Sequence, residues 1–145
     1  MAITKNDAIV LFSSLELGVS FKRMITLGRM ELFMTSDEIG ELALKYQQKS
    51  IAAVDVSSGY AEALYKILGA ELADSMDFSD YEKATVIHDL NQPVPDNVKH
   101  AYSLVLDGGT IEHVFNFPQA IKNCMEMIET GGHYIGITPV NNLMG

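Results

Sequence analysis

The apolar positions of this chain fall into two alternating patterns. Short, nearly continuous apolar runs occur at Arg23–Leu27 before Gly28, at Ala84–His88 before Asp89, and at Tyr102–Leu106 before Asp107. Runs with little polar alternation are what strands covered on both faces require. A weaker run, Leu72–Met76, leads into Asp77-Phe78-Ser79-Asp80, and His133–Ile137 supplies another, stopped by Thr138-Pro139. Between these runs the spacing turns helical. Thr4 with Asp7 caps a helix over roughly residues 4–18, with Ala8, Ile9, Leu11, Phe12 and Leu15 apolar and Gly18 as its stop. Thr35-Ser36-Asp37-Glu38 reads as a capping box ahead of Ile39, Leu42, Ala43 and Tyr46. Gln47 to Ser58 stays open, because Ile51-Ala52-Ala53-Val54 suits a strand or a helical turn equally. Tyr60 to Leu68 reads as a helix closed by Gly69. A last helix has Pro118 in its first turn, buries Ile121, Cys124, Met125 and Ile128, and is stopped by Gly131-Gly132.

Strands alternating with helices at this spacing imply parallel crossovers and a sheet covered on both faces. The expectation is an α/β chain with a Rossmann-like, doubly wound, mostly parallel sheet. Its 145 residues, 48% of them hydrophobic, suffice for one domain over 1–145 with one substantial core.

Charge and cysteine content narrow the function. A net charge of −9 opposes polyphosphates and anionic membranes, which disfavours nucleic acid and membrane surfaces as partners and leaves a small molecule or a protein. Cys124 is the single cysteine, so the chain forms no internal disulfide and no multi-cysteine zinc site. His88, His100, His113 and His133 are scattered without metal-ligand spacing. No signal-like leader and no membrane-length apolar run occurs, and the expectation is a soluble, cytoplasmic protein.

In a doubly wound sheet, ligands lie beyond the carboxyl ends of the strands, where the strand order reverses. Gly28, Asp77, Asp89 and Asp107 are expected to converge there. An acid at the end of the second strand can accept hydrogen bonds from both ribose hydroxyls. The negative surroundings suit a neutral cofactor or a sulfonium cation and oppose the extra phosphate of NADP. Asp107 is the most telling of the three acids, since it follows an apolar strand and precedes two glycines. For each acid the plainer alternative is an aspartate that caps its own turn or is solvated. His113 is either a base working near neutral pH or an anchor for its loop. Cys124, in an apolar stripe, reads as core.

Tyr102–Phe115, Y-S-L-V-L-D-G-G-T-I-E-H-V-F, followed by a helix and E-T-G-G, resembles the region after the fourth strand of class I S-adenosylmethionine-dependent methyltransferases. Together with D-Y-E-K-A-T-V-I-H-D-L-N-Q-P-V-P upstream, the likeness covers roughly Met24 to Asn142. The resemblance implies S-adenosylmethionine as cofactor and methyl transfer by in-line displacement to an acceptor that the sequence does not identify. It places Thr26-Leu27-Gly28-Arg29 at the cofactor loop, Asp77 with Phe78 beside it at the ribose, and Asp89-Leu90 around the adenine. Asp107-Gly108-Gly109 falls alongside the methionine moiety and Glu112-His113 near the active-site mouth.

The chain departs from that pattern in three ways, one being that Glu31 to Ala73 is longer than the single helix that normally links the first two strands, which leaves the register of Asp77 open. The family's loop E-x-G-x-G-x-G keeps only Gly28 here, and the chain ends just after the fifth strand, where the family adds a helix and an antiparallel strand pair. These departures imply a missing C-terminal part, with the fifth strand's open edge covered by a further segment or paired in a homodimer. They also favour a second reading, a non-catalytic binding or assembly module of the same fold. A nicotinamide-dependent oxidoreductase is disfavoured by the lack of G-x-G-x-x-G.

Overall fold

The computed structural model describes residues 2–47 and 54–138. The ambiguous stretch at Ile51–Ala53 and the stop at Pro139 lie outside them. The elements run β1 (Ala2–Ile3), α1 (Lys5–Glu16), β2 (Arg23–Leu27), β3 (Glu31–Leu32), α2 (Ser36–Lys45), α3 (Glu62–Ile67), β4 (Leu72–Asp77), β5 (Val86–Ile87), β6 (Tyr102–Asp107), α4 (Phe117–Met127) and β7 (Ile128–Gly136). Single 3-10 turns at Val56–Ser58, Asp96–Val98 and Ile111–His113 join them.

Five parallel strands form the main sheet in the order β5-β4-β2-β6-β7, an arrangement compatible with Rossmann-like folds. The chain enters at the centre with β2, steps outward through β4 to β5, then returns to the other side of β2 with β6 and β7. The strand order therefore reverses between β2 and β6. Successive residues of β2 and β6 serve opposite faces, as the pleat requires. Met24, Leu104 and Leu106 pack with Leu11, Phe12, Leu42 and Leu64 from α1, α2 and α3. Ile25, Leu27 and Val105 pack with Ala120, Cys124 and Met127 of α4.

The helix starts follow their sequence signals. The Asp7 carboxylate accepts from the Thr4 backbone N–H at 2.8 Å, and Glu38 does the same for Thr35 at 2.8 Å. The Asn116 side chain caps α4 by accepting from the Gln119 N–H at 3.3 Å. Within α4, Asn123 is fully buried and uses its whole amide. It donates to the carbonyls of Leu90 (3.0 Å) and Gln92 (2.8 Å), and accepts from the Val94 N–H (3.1 Å) and the Gln119 amide (2.8 Å). The loop after β5 is thereby fastened to the helix.

Four features differ from the sequence expectation, the smallest being that Met125 of α4 is 48% exposed, its place in the buried face being taken by Met127. The two-residue strands β1 and β3 pair in parallel, Ala2 with Glu31 and Ile3 with Leu32, in a separate small sheet that no periodicity announces. The run Ala84–His88 yields only the short β5, because Thr85 pairs through side chains. Its hydroxyl accepts from the Ser75 N–H at 2.9 Å, and its own N–H donates to the Ser75 hydroxyl at 3.3 Å. The last helix ends at Met127, and Gly131-Gly132 lies inside β7 instead of stopping a helix. Ile128, expected in the helical stripe, instead pairs with Tyr102, while Leu104 pairs with His133. The surplus residues of β7 bulge around Gly131 at φ +83°. A Cβ on Gly132 would stand 2.9 Å from the Ser103 carbonyl oxygen, so a glycine is needed for the strands to close. Among the described residues no helix is long and apolar enough to cross a membrane.

Candidate functional site

Beyond the carboxyl ends of the strands, at the reversal between β2 and β6, lies an open cleft of about 290 Å³. Each wall comes from a strand end. Gly28 follows β2, Met76, Asp77 and Phe78 finish β4, and His88 to Asn91 follow β5. Thr110, His113 and Val114 come from the segment after β6.

Gly28 turns the chain at φ +78°, a conformation that costs a side-chain-bearing residue energy, and its N–H donates to the Met76 carbonyl at 2.6 Å. That bond lashes the loop to β4. Arg29 is held just as firmly. Its Nε lies 2.6 Å from Glu62 Oε1, its Nη1 donates to the Glu82 carbonyl at 3.1 Å, and its guanidinium stacks 3.7 Å from the Tyr60 ring centre.

Two of the three expected acids share the cleft. Asp77 Oδ1 accepts from the Ser79 N–H at 3.1 Å, and its other oxygen has no protein partner among the described residues. Asp89 Oδ1 accepts from the Asn91 N–H (2.9 Å) and side-chain amide (2.8 Å), with its other oxygen likewise unpartnered among the described residues. The Asn91 backbone N–H, then the Asn91 amide, hold the Asp89 carboxyl below the usual aspartate range. Neighbouring His88 adds to this, while burial works the other way. Both acids thus combine a positioned oxygen with an available one. Buried Met76 and Leu90 form an apolar wall, and Phe78, 74% exposed, stands at the rim.

Asp107 is placed differently. It is wholly buried, and its Oδ1 accepts from the N–H groups of Gly109 (3.2 Å), Thr110 (2.8 Å) and Ile111 (3.4 Å). Its Oδ2 accepts from the Tyr134 hydroxyl at 3.0 Å. Burial and this carboxylate push the Tyr134 hydroxyl pKa up, and they push the thiol of buried Cys124 up to about 12. Asp107 therefore braces the Gly108–Ile111 turn from beneath the cleft.

The remaining candidates divide in the same way. Leu27 is buried, and its carbonyl accepts from the Thr110 hydroxyl at 2.7 Å. Gly108 lies under the Met30 side chain, where an added Cβ would come within 2.8 Å of the Met30 methyl. Gly109, at φ +104°, sits beside the Glu112 carboxylate. Glu112 is exposed, and exposed His113 lines the cleft. His88, Asn91, Thr110 and Val114 line it too, although the sequence did not single them out as binding residues. Their signal was adjacency, since each lies within three residues of a candidate. No group of three or more metal-ligating side chains occurs among the described residues.

Such a cleft can accept two or more hydrogen bonds from a diol at Asp77 and Asp89 and cover a flat apolar group between Met76, Leu90 and Phe78. No protein-family model matches this chain, and no curated protein and no solved structure is significantly similar to it.

Proposed function

We propose that the cleft binds the nucleoside portion of S-adenosylmethionine and that the chain is a methyltransferase-type domain acting on a small-molecule acceptor. The observation that carries this reading is the meeting of Asp77 and Asp89, each with an unpartnered oxygen, beside an apolar wall at the reversal of a parallel sheet. In this reading Asp77 accepts from the ribose hydroxyls, and Asp89 with Leu90 and Phe78 brackets the base. The volume, about 290 Å³, lies at the small end of ligand sites and suits a nucleoside better than a dinucleotide. The acids favour a cofactor without net negative charge over a nucleotide polyphosphate.

When bound, this cofactor supplies an electrophilic methyl group. The chain's own contribution is to hold the nucleoside and to line the mouth with His113, placed to accept a proton from an acceptor that must lose one.

A second reading, a nucleoside-binding module without chemistry, is favoured by the loop after β2. Met30 closes against Gly108, and the Gly28 N–H is already engaged with Met76, so this loop offers little cradle for the methionine end. Calorimetric titration with S-adenosylmethionine, S-adenosylhomocysteine, adenosine and ATP tests both readings. Binding of the first two with a clear preference over adenosine supports the cofactor reading, and equal binding of all three supports the module. Silence toward all of them, or tighter binding of ATP, overturns the site.

A further inference from the structure

A second cleft, of about 300 Å³, lies between α3 and the strands β2 and β4 and shares no lining residue with the first. Met30, Ala73 and the ring of Tyr65 give it an apolar wall, the Tyr65 hydroxyl itself being buried out of reach and without a partner. Four charged residues border it: Arg29, Glu62, Asp74 and Lys83. Asp74 spends its charge elsewhere. Its Oδ2 accepts from the Tyr102 hydroxyl at 2.9 Å, and Tyr102 packs with Ala120, Cys124 and Met127 on the opposite face of the sheet. The pleat of β4 agrees, since Met76, in step with Asp74, joins that same core, whereas Ala73 packs against the core of α1 to α3. Arg29 and Lys83 are therefore opposed by Glu62 alone. Two cations against one acid leave the cleft with a formal charge of +1 in a chain of net charge −9.

Both cations are set in place by the protein. Arg29 is fixed on three sides, by Glu62 Oε1 at its Nε (2.6 Å), by the Glu82 carbonyl at its Nη1 (3.1 Å) and by the Tyr60 ring against its face (3.7 Å). Its Nη2 has no acceptor among the described residues, so a donor is already ordered before any ligand arrives. Lys83 is exposed and in no ion pair among the described residues. It sits at φ +58°, a conformation that favours glycine, in a turn closed by its N–H to the Asp80 carbonyl at 2.9 Å. A lysine kept at a backbone cost on the border of a cleft points to a use for its ammonium.

A singly charged anion is the occupant that this arrangement fits. One negative charge neutralises the cleft, whereas a dianion would leave it net negative within an acidic protein. A carboxylate offers two acceptor oxygens to two separate donors, and the apolar wall asks for an apolar body behind it. We propose that this cleft is a second ligand site, for a small monocarboxylate with an apolar body, whose oxygens accept from Arg29 Nη2 and the Lys83 ammonium. The site stands independently of the nucleoside reading of the first cleft.

The test is a heteronuclear NMR titration of the full chain with benzoate, and with benzamide as its neutral analogue. The expected result is saturable shifts of the Arg29 side-chain Nε–H and of the Ser75 and Thr85 amides with benzoate, and at least tenfold weaker binding of benzamide. K83M removes a charged donor and should weaken benzoate about tenfold. K83R keeps the charge and should retain most of the affinity. Because Lys83 is exposed and unpaired among the described residues, K83M should melt as the parent does, which separates lost binding from lost folding. The site is overturned by an absence of saturable shifts up to the solubility limit of benzoate. It is overturned equally by K83M binding benzoate as tightly as the parent, by benzamide binding as well as benzoate, or by shifts at Gly28, Asp77 and Asp89 in place of these.

Discussion

Asp107 closes β6 as Asp77 closes β4, each the last residue of a parallel strand on the same rim of the sheet. Their surroundings differ entirely. At β6 the following turn folds back over the carboxylate, and three N–H groups and the Tyr134 hydroxyl use both oxygens. At β4 the chain moves away toward the short β5, and a single N–H, from Ser79, occupies Asp77. Asp89, just past β5, behaves like Asp77, with one oxygen taken up by Asn91. A strand-end acid is thus free for a ligand only where its own loop does not consume it. The direction the chain takes after the strand decides the matter.

The contrast can be broken most directly at Asp107. D107A strands three N–H groups, that of Ile111 buried and those of Gly109 and Thr110 partly so, and a hydroxyl, and should cost about 3 kcal/mol or more in chemical denaturation. A loss below about 1 kcal/mol would show that the turn does not depend on this carboxylate. D77N and D89N should each leave the denaturation midpoint nearly unchanged, yet lower affinity for S-adenosylhomocysteine by about tenfold or more. If either unfolds the protein as severely as D107A, the distinction between bracing and binding acids fails. Y134F removes one donor from Asp107 and should destabilise by about 1 kcal/mol, an effect that should vanish in the D107A background.

Two gentler probes sharpen the same comparison. The folded-state pKa of Asp89 is lowered, so the Asp89–Asn91 turn contributes stability above the ordinary aspartate range and loses it only as pH falls through the lowered value. Affinity for S-adenosylhomocysteine should accordingly stay level from neutral pH down to about pH 4, and a midpoint above about pH 5 would contradict the role given to Asp89. Cys124, pushed up to about 12 beside buried Asp107, should not react with a thiol reagent at mildly alkaline pH until the protein is unfolded.

How much of this was legible depended on what each residue's neighbours were. Arg23–Leu27 and Tyr102–Asp107 stood out because central strands need apolar residues on both faces, and Thr35 with Glu38 announced a helix start through local bonds alone. Ala2–Ile3 and Glu31–Leu32 are too short for any period to register. Glu129-Thr130-Gly131-Gly132 has the chemistry of a helix stop. Pairing of the flanking Ile128 and His133 with Tyr102 and Leu104, far upstream, makes it the bulge of a strand instead, and local pattern does not carry that information. Asp77 and Asp89 could be picked out as candidates from their positions at strand ends, but the depth of Asp107 could not, because a bracing aspartate and a binding one read alike. Tyr65, in the apolar stripe of α3, gave no hint that its hydroxyl lacks a partner.

The turn after β2 carries one more consequence. Gly28 faces the first cleft, and the very next residues, Arg29 and Met30, face the second. A few atoms of backbone form a party wall between two chambers, tied to its surroundings by the Met76 carbonyl, Glu62 and Tyr60.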